Sequence, residues 1–124
     1  MERKQRVVAR LIRDAISDVI AREVRDPRVG IVSVSSVDLS ADFRHAKIRL
    51  SVIGSTEDEM RESFEALDRA RPFIRRMLGE RVRLRHVPEI VFERDRGAEH
   101  AEHIARILAE IESDRSQEGE HESS

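Results

Sequence analysis

The chain has 124 residues and a formal net charge of -2, with 39% hydrophobic and 39% charged residues. That length supports one small core, and the absence of cysteine excludes a disulfide framework, a thiolate nucleophile and a Cys-based zinc site. No apolar run approaches the roughly 18 residues of a bilayer span, and no signal-peptide pattern opens the chain, so the expectation is a cytoplasmic protein without membrane association.

From about Arg3 to Val24 the periodicity predicts an amphipathic helix. Val7, Val8, Leu11, Ile12, Ala15, Ile16, Val19 and Ile20 recur as one apolar stripe. Opposite them, Arg3, Arg6, Arg10 and Arg13 share a face as a basic line. Asp26-Pro27 ends this helix, because the residue before proline is pushed out of helical geometry. Val32 and Val34, then Val37 and Leu39, alternate with polar residues. The change of parity across Ser35-Ser36 predicts a bulge. Ala46, Ile48, Leu50 and Val52 then mark the dry face of a second strand, whose other face carries His45, Lys47 and Arg49. An antiparallel hairpin covered by helices on one side follows.

Thr56-Glu57-Asp58-Glu59 reads as a capping box. Met60, Phe64, Leu67 and Ala70 form the stripe of the helix it opens. Pro72 bends that helix and opens another, buried through Phe73, Ile74, Met77 and Leu78, which Gly79 loosens near its end. A third strand spans Glu89 to Glu93 with Ile90 and Phe92 inward, and Gly97 opens a last helix bearing Ile104, Ile107, Leu108 and Ile111. Between Glu110 and Ser124 six acids face one arginine. Residues 113–124 are therefore expected to be a disordered acidic tail behind one folded domain, 1–112. The fold class is α+β, ordered α-β-β-α-kink-α-β-α, a three-stranded sheet with helices on one face.

The functional signal is a cluster of charge. Arg69, Arg71, Arg75, Arg76, Arg81, Arg83 and Arg85 stand against a single acid, Glu80, within a slightly acidic chain. Such a concentration repels itself unless something negative offsets it, and guanidinium groups match phosphate oxygens bidentately. With 21 Arg and 2 Lys overall, the choice of Arg means little; the clustering points to RNA or DNA. There is no Trp or Tyr and only four Phe, so contact through phosphates and shape is expected in place of base stacking. Lys4 extends the candidate set along the first helix with Arg3, Arg6 and Arg10. Arg28 is either part of the helix stop or a loop contact to RNA. His45, Lys47 and Arg49 are either a further contact or an ordinary wet sheet face.

Other chemistry finds little support. His100-x-x-His103 with Glu99 and Glu102 falls short of a metal site with proper ligand number and support, and reads as a solvated helix face. No nucleophile elbow or Gly-rich phosphate loop occurs. No metal, cofactor or catalysis is expected. From a different class, the alternative is a protein-interaction module that docks its arginine face on an acidic partner; salt dependence of binding to RNA fragments and to acidic proteins separates the two.

Specific residues carry a resemblance. Asp26-Pro27-Arg28, Leu39-Ser40-Ala41-Asp42, Ala46-Lys47-Ile48, Ala70, Phe73-Ile74-Arg75 and Leu84-Arg85-His86-Val87-Pro88-Glu89-Ile90-Val91-Phe92, in this order, resemble the ribosome-binding factor A family over roughly Arg3 to Ile111. The resemblance implies a K-homology-like fold of type II and no enzymatic activity. It also implies a monomer that binds 16S rRNA in the free small (30S) ribosomal subunit, assists late maturation and 5′-end processing, and is linked to growth in the cold. The family's interhelical kink, Ala-x-Gly, reads Ala70-Arg71-Pro72 here. Proline keeps a bend but removes a backbone donor, so nearby arginine side chains must carry more of any phosphate contact.

Overall fold

The structure, a computed structural model, describes residues 1–122. Its elements run α1 (Arg3–Arg22), β1 (Ile31–Leu39), β2 (His45–Ile53), α2 (Glu57–Arg81), β3 (Glu89–Arg94) and α3 (Arg96–Glu122). The first helix buries Ala9, Ile12, Ile16, Val19 and Ile20, a face set by their helical spacing. Gln5 is buried with them because both ends of its amide are used. Its Nε2 donates to the Leu39 carbonyl at 3.0 Å, and its Oε1 accepts from the Glu2 backbone N–H at 2.9 Å.

The sheet order is β1-β2-β3, with β1 antiparallel and β3 parallel to β2. The register shifts between Val34 and Ser36, so the bulge expected from the change of parity lies at Ser35. Val37, Leu39, Ala46, Ile48, Leu50, Val52 and Ile90 are buried on the dry face against α1 and α2. On the wet face Lys47 pairs with Glu93, and Arg49 reaches both Asp38 and Glu93.

The two helices expected on either side of Pro72 are one continuous element, with Pro72 inside it. Thr56 and Glu59 close the capping box at 3.2 Å in both directions. Buried Ser63 fastens this helix to the turn before β1: its hydroxyl accepts from the Gly30 N–H at 2.8 Å and donates to the Arg28 carbonyl at 3.0 Å. Gly79, expected to loosen the helix, instead permits a close approach. A Cβ there would lie 2.9 Å from Val87 Cγ2.

α3 runs as helix to Glu122, over most of the segment expected to be an acidic tail; residues 123–124 lie outside the described range. Ile104, Ile107, Leu108 and Ile111 of α3 are exposed. Only the start of α3 is tied to the body: Arg94, just before it, binds Glu57 and Glu99, and Asp95 accepts from the Ser35 hydroxyl at 2.6 Å.

Candidate nucleic-acid interface

The seven clustered arginines separate into two groups. Arg75 donates from Nε to the Pro88 carbonyl at 3.0 Å and from Nη2 to the Val87 carbonyl at 2.8 Å, holding the segment between α2 and β3. Arg81 bridges Asp18 and Glu23 of α1 and its C-terminal junction. Arg71 reaches the Ile90 carbonyl at 3.4 Å. These three are committed to the fold in whole or part. By contrast Arg69, Arg76, Arg83 and Arg85 are exposed, and none belongs to an ion pair among the described residues. The Arg76 guanidinium rests 5.5 Å from the centroid of the Phe73 ring.

The segment after α2 gathers the uncommitted cations. His86 lies on three adjoining depressions: one bounded by Arg76 and Arg85, one by Arg44 and Arg75, and one by Lys4, Arg44, Arg83 and Arg85. Together they form a continuous basic surface at the junction of α2, the 82–88 segment and the β1–β2 turn. Buried Pro88 and the Arg75 bonds to the backbone fix this segment, so its cations project from a braced frame.

Sequence reading missed Arg44 and His86. Arg44 sits alone between strands, without the local clustering that marked the other arginines. His86 gave no signal of its own, although its neighbours Arg83 and Arg85 did. The α1 residues divide in the same way. Lys4, Val8 and Ile12 line the depression shared with Arg44, Arg83 and Arg85. At 3.6 residues per turn, Arg3, Arg6 and Arg10 project about 100–160° away from Lys4. That row is a separate basic face, and Arg6 also donates to the Met1 carbonyl. Arg28 is occupied by a fork to Asp26, at 3.0 and 2.9 Å, and its hydrogen bond holds the Asp26 carboxyl below its usual range. The wet sheet face carries compensated cations, as described above. Among the described residues no three His, Cys, Asp or Glu side chains converge as a metal site.

The family model described as ribosome-binding factor A matches residues 3–108. This chain belongs to the ribosome-binding factor A family. A ribosome-binding factor A of Natranaerobius thermophilus is 51% identical over 100 residues, covering 81% of this chain and 76% of that protein. The solution structure of a Thermotoga maritima protein, a putative ribosome binding factor A, is 33% identical with a TM-score of 0.67, covering 77% of this chain and 90% of that one. A Thermus thermophilus ribosome binding factor A fitted into the cryo-EM map of its 30S complex is 27% identical with a TM-score of 0.58, over 69% and 89% of the two chains. The family assignment brings the K-homology-like fold with it, and the α+β element order described above agrees. The Ala70-Arg71-Pro72 step, expected to be an interhelical kink, lies within α2 without interrupting it.

Proposed function

We propose that this chain binds the free 30S subunit through the basic surface around His86, contacts 16S rRNA there, and assists late maturation and 5′-end processing without catalysing a reaction itself. The observation that carries this reading is the set of uncommitted cations, Lys4, Arg44, Arg76, Arg83 and Arg85, displayed around a braced segment of a chain whose net charge is -2. Ion pairs quench the cations of the wet sheet face, and no such pairs quench these. Membership of the family and the 30S complex of the Thermus thermophilus relative support the subunit as the partner. The protein acts as a cytoplasmic monomer, and its requirement is greatest in the cold, where misfolded rRNA helices exchange slowly.

Co-sedimentation with free small subunits, against mature ribosomes as control, tests the proposal. Each phosphate contact removed lowers the salt slope of binding by about 0.7–0.9. Replacing Arg76, Arg83 and Arg85 by Ala flattens that slope, whereas replacing Arg3, Arg6 and Arg10 leaves it nearly intact. An equal effect of the two sets would refute the placement of the interface.

A further inference from the structure

One of the depressions around His86, about 610 Å3, has an apolar floor of Val8, Leu39, Phe43 and Leu84. Its rim carries Lys4, Arg44, Arg83 and Arg85. A phosphate needs only the rim. An apolar, aromatic floor beneath cations fits a group with a flat hydrophobic face and a negative charge close beside it. We infer that this cavity takes one unstacked nucleobase of a single-stranded RNA segment, with its flanking phosphates on the rim. The inference rests on the RNA reading of the surface given above.

Phe43 is the residue that makes the floor aromatic, and its backbone is unusual. Its φ is +61°, a left-handed conformation, and it is the one non-glycine residue there among the described residues. An aromatic side chain gains nothing locally from that geometry. The turn enforces it: the Phe43 N–H donates to the Ser40 carbonyl at 2.9 Å, and the Asp42 carboxylate accepts from the Ser40 hydroxyl at 2.6 Å and the Arg44 N–H at 3.1 Å. Those bonds hold the Asp42 carboxyl below its ordinary value, with Ser40 the main cause. The rim's one acid is thus ionised and engaged within the turn.

Lys4 completes the arrangement. Its Nζ lies 5.8 Å from the Phe43 centroid, at the outer limit of a cation–π contact. A base stacking on Phe43 replaces that weak contact with a larger one, and the displaced ammonium turns to a phosphate. None of the four rim cations is in an ion pair among the described residues.

The test titrates isotopically labelled full-length protein with three probes: a single-stranded RNA pentamer, an abasic ribose-phosphate pentamer of equal charge, and free AMP. The pentamer with bases binds at least about 5-fold more tightly than the abasic one, the lower bound for stacking one base on an aromatic ring. It also shifts the amide signals of Phe43 and Leu84 on the floor, which the abasic pentamer leaves in place. In Phe43→Leu, which keeps an apolar floor but lacks the ring, the affinity gap between the pentamers closes. Equal affinity of both pentamers for the wild-type protein overturns the base pocket while leaving the surface a phosphate binder. Failure of both pentamers to bind overturns both this inference and the RNA reading. Free AMP binding as tightly as the pentamer overturns it in favour of a mononucleotide site.

Discussion

The guanidinium of Arg75 holds the carbonyl of Pro88 at 3.0 Å, placing a cation of α2 at the hinge between helix and parallel strand. This bond and its neighbour to Val87 make Arg75 a brace for the segment that displays Arg83, Arg85 and His86. Hydrogen bonds to charged groups contribute about 1.5–3 kcal/mol when the geometry is good. Arg75→Ala therefore lowers stability by about 1–2 kcal/mol, discounted for its partial exposure. Arg76→Ala, one residue on, changes it by less than about 0.5 kcal/mol. Urea unfolding of the two variants checks the contrast, and equal losses would remove the brace from the account.

Gly79 and Val87 provide a second check on the same segment. In a helix interior, alanine exceeds glycine by about 1 kcal/mol, but here the new methyl would meet Val87 Cγ2 at 2.9 Å. Gly79→Ala is expected to destabilise the wild-type chain. In a Val87→Ala background the clash is gone, and the same substitution is expected to stabilise by about 0.5–1 kcal/mol. A double-mutant cycle in urea measures this reversal of sign; its absence would mean Val87 yields without cost.

Pro72 lies inside α2 and is exposed. Without an N–H it leaves the Asp68 carbonyl with no helical partner four residues on. Pro72→Ala restores that bond and is expected to raise stability by about 1–3 kcal/mol. Calorimetry decides: a lower melting temperature would show that the ring contributes packing or a required bend beyond its effect on the helix.

The start of α3 is sensitive to acid. The Glu57 carboxyl is held below its ordinary 4.5 mainly by the hydrogen bond from Arg94, and the Asp95 carboxyl below its ordinary 3.8 mainly by the Ser35 hydroxyl. A group whose folded-state value is depressed contributes stability above its ordinary value and loses it as pH falls through the lowered one. Melting temperature should therefore begin to drop below about pH 4.5 and continue to drop below 3.8. In the double variant Glu57→Gln with Asp95→Asn the drop becomes shallower. Parallel pH profiles for variant and parent would contradict this anchoring.

Features coded locally were legible in the sequence. The capping box at Thr56 and Glu59 spans four consecutive residues, and the bulge at Ser35 shows as a change of parity within one strand. Long-range pairings left no such trace. Arg81 finds Asp18 and Glu23 at separations of 63 and 58 residues, so it read as one more free arginine. The parallel pairing of β3 with β2 is likewise set by how α2 crosses the sheet. Phe43 gave no warning of its left-handed backbone, because the Ser40–Asp42 bond that enforces it depends on the closed turn. The arginine cluster was legible as a whole, while its division into braces and free cations required the carbonyls of the segment from Val87 to Ile90.

Arg71 has a further consequence through its bond to Ile90. In an extended strand the N–H and C=O of one residue point to the same side, and the Glu89 N–H bonds the Arg44 carbonyl toward β2. The Ile90 carbonyl thus faces outward, along the free margin of β3, where Arg71 caps it. An open margin of this kind is a template on which another chain can add a strand. A bulky cation seated across it at Ile90 obstructs that addition, so a guanidinium that read as a phosphate ligand also guards the edge at which the sheet ends.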